Sequence, residues 1–538
     1  MLTRRDFLAA AGAASLVPGA ARAQQTGPVA ADWQSFAGAY RVPDWFRDAK
    51  FGMWSHWGPQ CVPEYGDWYG RQMYIQGNHF YRHHLEKYGH PSQFGFMEFI
   101  GQWRAEAWEP DALGALFRRA GARYLMSMAN HHDNFDNFDS AHHEWNSTRV
   151  GPRKDIVGIW SRVAREQGMK FGVSNHSSHA WHWWQTAYGY DAEGPMKGRR
   201  YDAYHLRREH GTGKWWEGLD PQELYTGPSF VPPDGIDSIA AMNAWHDARD
   251  GQWIEYAPPQ NPEFVRKWLL RQNDLVDKYR PDIIYFDDYR LPFGQTGLQA
   301  VADYYNRSIE WHGDIEVVLT AKQLSHYQRY GIVEDVERGF LDEIRQVPWQ
   351  TSTCIGQWHY DRGLYERHGY KSAKEVVQRL SDVVSKNGNL LLSVPQRGDG
   401  SIDSDEEAIL GSLAAWIGMN GDAIYGSRPW RRYGEGPTRP QAGFMNEGGA
   451  SAFTAADVRF TTKAGALNAI LMDWPTGETA LASLGASAMP EAVVERVEMM
   501  DGSALPFTRD GEALRFRLPA PQNNMFVPAV RIRGRGIV

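Results

Sequence analysis

The chain has 538 residues, 42% hydrophobic and 23% charged, enough to bury one large core and a second, smaller one. Its formal net charge of −8 leaves no basic footprint, so nucleic acid is not an expected partner. Two cysteines, Cys61 and Cys354, cannot supply a disulfide framework and are read as packed free thiols, with a single bridge between them left open in an oxidising compartment.

In chain order, residues 1–23 read as an export signal. The pair Arg4-Arg5 precedes an Ala-rich apolar segment, and Ala21-Arg22-Ala23 forms a small-residue cleavage site. This pattern predicts a twin-arginine signal cleaved after about Ala23, which would deliver a folded chain to a periplasm. The apolar segment is too short to span a bilayer, and no later segment reads as transmembrane, so no membrane attachment is expected once the signal is removed.

From about residue 45 to 425, apolar strands alternate with amphipathic helices. The predicted strands are 51–55, 124–129, 170–174, 283–286, 316–319 and 389–394; helices are predicted over 112–120, 155–166, 262–279 and 372–385. Such alternation points to a parallel sheet, and the length of the segment favours a (β/α)8-like barrel over an open sheet. No Gly-rich phosphate loop follows the first strand, which weighs against a dinucleotide-binding sheet. Residues 178–260 form a long connection rich in Trp, Tyr, Gly and Pro, expected to cap the barrel mouth. After Tyr425 short alternating runs at 451–454, 466–472 and 514–518, separated by turn residues, predict a C-terminal antiparallel β-sandwich over 426–538, with the barrel taking 24–425.

Several of the predicted strands end in polar groups: His56 after Phe51–Ser55, Asn130-His131-His132-Asp133, Asn175-His176 and Asp287-Asp288. Parallel barrels assemble their sites from such strand ends. Asp287 and Asp288 are adjacent on an extended chain and point to opposite sides, so one of them enters the pocket. Two carboxylates flanking a bond suffice for glycoside cleavage, and the partner is sought among Glu334, Asp335, Glu337 and Glu343. The 23 Trp and 25 Tyr suit a sugar site, because aromatic faces stack on pyranose rings. By the same strand geometry His131 and His132 face opposite sides and do not grip one ion, no His-Glu-x-x-His pattern occurs, and neither a metal nor a cofactor is expected. No Gly-x-Ser-x-Gly elbow supports a serine hydrolase.

The run Trp45-Phe-Arg-Asp-Ala-Lys-Phe-Gly-Met-Trp-Ser-His56-Trp-Gly-Pro59, with Gly66-Asp67-Trp68-Tyr69, Ala129-Asn-His131-His132-Asp133, Tyr279-Arg-Pro281-Asp-Ile-Ile-Tyr-Phe-Asp287 and Glu337-Arg-Gly339 followed by Pro348-Trp349-Gln350 and Trp358, resembles the α-L-fucosidases of glycoside hydrolase family 29. The resemblance runs from about residue 33 to beyond 430. It implies a retaining, exo-acting fucosidase whose partner is a fucosylated glycan. Asp287 falls at the position of the family's nucleophile, and His56, His131, His132 and Trp68 match its fucose-binding positions. Asp67 stands where many members carry glutamate, Lys322 where arginine is frequent, and His176 where some members have tyrosine; Trp358 belongs to the matched segment. Glu337 is the chosen acid/base, with Glu343 and Glu334 open. An α-L-galactoside substrate and a non-catalytic fucose-binding homologue are the alternatives; linkage, aglycone and oligomeric state are left open.

Overall fold

A computed structural model describes residues 28–449, 452–521 and 525–538. The predicted export signal at 1–23 lies outside them. Eight parallel strands close into a barrel in sequence order: β1 Phe51–Ser55, β2 Tyr124–Asn130, β3 Lys170–Asn175, β4 Ile283–Tyr289, β5 Val318–Lys322, β6 Val333–Asp335, β7 Trp349–Cys354 and β8 Gly388–Ser393. Closure comes from β1 pairing with both β2 and β8. All but Lys170 and Tyr289 of these strand residues are buried, as expected for strands with helices outside and side chains filling the middle. The barrel interior alternates small with large. A Cβ on Gly52 would meet the ring of Tyr124 at 2.2 Å, and that ring reaches across to hydrogen-bond Gln350 at 3.0 Å.

Three of the four predicted helices start where the sequence places caps. Asp155 accepts from the backbone of Gly158 at the head of 156–166, Asn261 caps 262–279 ahead of Pro262, and Ser372 forms a capping box with Glu375 ahead of 373–385. The two long helices Gln295–His312 and Ser404–Asn420 lie outside the predicted set, as do several short ones. So do β6 and β7. Strand β6 has three residues, and β7 reads Trp-Gln-Thr-Ser-Thr-Cys, without an apolar run. Its polar residues are satisfied inside the barrel, where Gln350 and Ser352 donate to Asp335 at 2.8 and 2.7 Å. The predicted strand at 316–319 starts two residues later, because the backbone of Glu316 is engaged by Ser308 and Trp45.

Beyond Arg428 the chain builds two antiparallel sheets. Five strands, β9 Arg428–Glu435, β10 Val458–Lys463, β11 Ala466–Leu471, β13 Val493–Met499 and β16 Ala529–Arg535, run in the order β13-β16-β11-β10-β9. Three more, β12 Glu478–Leu481, β14 Phe507–Arg509 and β15 Leu514–Arg517, run β12-β15-β14. Phe460, Leu467, Leu514, Phe516 and Val530 share the core of this unit. The run expected at 451–454 is not a strand over its described residues 452–454; Thr454 instead turns the chain by donating to Asp457. A buried ionic group joins the two units: Asp382, on the helix 373–385, accepts from Lys386 and from Arg459 of β10, each at 2.7 Å. Both thiols are free and buried, and burial pushes Cys61 and Cys354 up to about 12.

Candidate active site

A cavity of about 520 Å³ opens at the C-terminal ends of the barrel strands. It brings together all ten sequence-selected residues: Asp287, Glu337, His56, Asp67, Trp68, His131, His132, His176, Lys322 and Trp358. They come from seven different strand ends or the loops that follow them.

Asp287 lies on β4, two residues after Tyr285, and the period of two sends both side chains inward. Asp288 turns away, as expected, and accepts from Ser178 at 2.9 Å and faces His179 Nε2 at 3.2 Å. Burial alone would raise the Asp287 carboxyl; the Lys322 ammonium, helped by the hydrogen bond from His132, outweighs it and holds the group well below the usual carboxylate range. Lys322, at the end of β5, makes an ion pair with Asp287 and a second one with Glu337 at 2.5 Å. Burial acts to strip its proton, but the two carboxylates raise it well above the normal lysine value. Asp288 lacks such a cation: burial pushes it up to about 7, and the adjacent Asp287 charge adds to this.

The structure separates the three glutamates. Glu337 faces the cavity. Glu334 turns from it to pair with Arg329 at 2.7 Å and Arg345 at 3.6 Å, and Glu343 has a side chain 68% exposed, 3.5 Å from Arg345. Asp335 points into the barrel, hydrogen-bonded to Gln350 and Ser352.

The expectation that His131 and His132 face opposite sides fails. Both line the cavity, with ring centroids 4.4 Å apart. Strand β2 ends at Asn130, after a register shift against β3 between Met128 and Asn130, so the two histidines lie in a turn rather than on an extended strand. His56, His131 and His176 converge on the cavity floor, their centroids 4.8 to 5.3 Å apart. Burial, reinforced by the neighbouring imidazoles, holds His56 and His131 well below the ordinary histidine value. His176 is lowered to about 3 by burial, against the opposing pull of Asp287. The floor therefore presents neutral imidazoles. His176 Nδ1–H donates to the carbonyl of Asn130 at 3.0 Å, and Gln60 meets His131 Nδ1 at 2.8 Å, which leaves the Nε2 atoms for a ligand. Donor atoms of His56, His131 and His176 lie within 4.8 Å of one another, close enough to hold a metal ion; as neutral imidazoles they equally serve as hydrogen-bonding groups for sugar hydroxyls. Asp67 accepts from the backbone N–H of His359 at 2.7 Å, which fixes its carboxylate at the rim.

The sequence reading missed several walls of the site. Trp54 and Tyr285, whose rings are 4.8 Å apart, each sit two residues before a selected residue, and the period of two was signal enough to find them. Trp253 belongs to the long 178–260 connection. Its ring lies over His179 at 3.9 Å and meets His132 edge-on at 5.7 Å, so this connection does cap the mouth. It also buries Trp181, Trp183, Trp184 and Trp216 into the main core. Phe444 and Met445 come from beyond the barrel, and no pattern in the chain announced them.

Comparison with known proteins agrees with this geometry. Residues 16–422 match the family model described as Alpha-L-fucosidase. The tissue alpha-L-fucosidase of Rattus norvegicus is 26% identical over 490 residues, 89% of this chain and 86% of the rat protein. The tissue alpha-L-fucosidase of Homo sapiens is 25% identical over 460 residues, 84% of this chain and 80% of its own length. The crystal structure of Thermotoga maritima alpha-fucosidase has the same fold, with a TM-score of 0.65 at 24% identity, covering 94% of this chain and 99% of that one. The chain therefore belongs to the α-L-fucosidase family of glycoside hydrolases.

Proposed function

We propose that the protein is a retaining, exo-acting α-L-fucosidase that removes terminal α-L-fucosyl residues from glycans by double displacement. The observation that carries this reading is the pair of carboxylates sharing one ammonium. Because Lys322 Nζ contacts both, the Asp287 and Glu337 oxygens that share it are at most about 5 Å apart, the spacing of a double-displacement pair rather than one that admits a water between acid and base. Asp287, held ionised, attacks the anomeric carbon, while Glu337, acting in its protonated form rather than as the carboxylate that pairs with Lys322, gives its proton to the glycosidic oxygen and the leaving sugar departs as an alcohol. A water then attacks the same carbon, its proton passes to Glu337, and the bond to Asp287 breaks. The neutral imidazoles of His56, His131 and His176 supply donors and acceptors for sugar hydroxyls, and Trp54, Trp68 and Trp358 supply stacking faces. The buried floor leaves one open end, which suits a terminal sugar.

Proton NMR during hydrolysis of an aryl α-L-fucoside tests the proposal. The expected first product is α-L-fucose. First appearance of the β-anomer overturns the retaining mechanism, and absence of hydrolysis overturns the fucosidase reading.

We also propose export. Arg4-Arg5 and the small residues before Gln24 support a twin-arginine route. Cell fractionation should find the mature chain, starting near Gln24, in the periplasm. A double variant carrying Arg4→Lys and Arg5→Lys should strand the precursor in the cytoplasm.

A further inference from the structure

One wall of the cavity comes from the C-terminal unit. The loop between β9 and β10 runs back to the barrel mouth and binds the backbone of the Glu337 segment directly. Met445 N–H donates to the carbonyl of Glu337 at 2.9 Å, Glu447 N–H to that of Arg338 at 2.8 Å, and Gly443 and Phe340 exchange hydrogen bonds of 2.8 and 3.3 Å. The approach is so close that a Cβ on Gly339 would lie 2.2 Å from the Gly443 carbonyl oxygen. Side chains fasten the same seam: the Glu447 carboxylate accepts from Thr353 at 2.8 Å and lies 3.4 Å from the Arg338 guanidinium.

Two residues across this seam hold left-handed backbone without being glycine, Arg338 at φ 44° and Met445 at φ 57°. Backbone strain of this kind persists where surrounding structure over-determines it, and it clusters at ligand sites. Here it turns Arg338 and the Phe444–Met445 pair toward the cavity. Phe444 meets Tyr289 edge-on at 5.7 Å, and its ring lies 5.9 Å from Lys322 Nζ.

Exposure gives the cavity a direction. His56, His131, His176 and Trp54 at the floor are buried, whereas Tyr289, Arg338 and Phe444 are half-buried and Met445 is 51% exposed. A terminal sugar in the floor presents its glycosidic oxygen to Glu337, so the rest of the glycan passes the next groups outward. These are an aromatic face, a thioether and a guanidinium, the side chains that stack on and hydrogen-bond a sugar ring.

We propose that the loop around Phe444 and Met445, with Arg338, forms the binding site for the first sugar on the leaving-group side, so that the C-terminal unit decides which fucosylated glycans are cleaved. This rests on the fucosidase reading above. Leaving-group binding at this place would hold a glycan in the ground state and the transition state alike, and have nothing to grip in a substrate whose leaving group is a single atom.

The test compares α-L-fucosyl fluoride with a fucosylated disaccharide for the full-length protein and its Phe444→Ala and Phe444→Tyr variants. Phe444→Ala is expected to lower kcat/KM for the disaccharide at least ten-fold more than for the fluoride, mainly through KM. Phe444→Tyr, which keeps the aromatic face, is expected to recover most of the loss. An equal fall on both substrates, or no change on either, overturns the proposal. If Phe444→Ala does not fold, the Met445→Ala variant is judged by the same ratio and the same criterion. Turnover of the fluoride by the unaltered protein reports separately on the fucosidase reading, and its absence overturns both.

Discussion

The ammonium of Lys322 lies 2.5 Å from a carboxylate oxygen of Glu337. The same nitrogen pairs with Asp287, so one cation links the proposed nucleophile to the proposed acid/base. A lysine can do this as a compact point charge, without the forked geometry of an arginine.

Removing that charge should move the pH dependence. Burial raises the Asp287 carboxyl and Lys322 overrides it, so in Lys322→Met the carboxyl pKa rises and the acidic limb of kcat/KM moves to higher pH. Activity at the optimum should fall about 100-fold or more, in line with loss of an electrostatic group at a reacting centre. A pH–rate series on an aryl α-L-fucoside measures both effects. An unmoved acidic limb would mean that Lys322 does not set the charge of Asp287.

Asp287→Ala should lower kcat by roughly three or more orders of magnitude, the scale seen when a nucleophile is removed. Added azide should fill the vacated space and yield the β-L-fucosyl azide, detectable by mass spectrometry and NMR. Asp288→Asn should cost far less activity, since that side chain accepts from Ser178 behind the site and an amide oxygen can still do so. Near-normal turnover in Asp287→Ala would remove this residue from the mechanism.

The three glutamates should part company. Glu337→Ala is expected to abolish hydrolysis of natural oligosaccharides, whose leaving group needs a proton, while an aryl fucoside with an acidic phenol keeps a measurable first step. Glu343→Ala should behave as the unaltered enzyme, because that side chain is mostly exposed. Glu334→Ala should chiefly lose stability, about 3 kcal/mol, by leaving Arg329 without its carboxylate and Arg345 with Glu343 alone. Steady-state kinetics on both substrate types and urea unfolding separate these outcomes.

The neutral histidines at the cavity floor make stability fall on acidification. Burial depresses His56, His131 and His176, so below about pH 6.5 the unfolded chain binds protons that the folded chain refuses. The sign is therefore loss of stability as pH falls through the unfolded value, continuing to about 3 for His176, with each such group contributing about 1.4 kcal/mol per pH unit once its unfolded form is protonated. Unfolding curves between pH 8 and pH 5 should show this slope, and His176→Gln should flatten it. An unchanged slope in that variant would show that His176 is not among the protons involved.

Much of this site was legible in the chain because barrel strands are short, buried and apolar, and a polar residue at their end has one place to go. Asp287 and His56 follow apolar runs, and the period of two separates Asp287 from Asp288 as it does Trp54 from Ser55. Strands β6 and β7 escaped notice for the opposite reason: Asp335, Gln350 and Ser352 satisfy one another inside the barrel, a pairing invisible until the strands are side by side.

What the sequence determined by itself was the alternation of elements, six of the eight barrel strands and the polar residues at the ends of four of them, since these follow from local periodicity and turn chemistry. Only the tertiary structure decided that His131 and His132 share one cavity, that Glu337 rather than Glu334 or Glu343 joins Lys322, and that Phe444 and Met445 reach it from another unit. These depend on a register shift, on the path of short strands and on a loop more than a hundred residues away along the chain from Lys322, and such distances are set by packing, which no local pattern encodes.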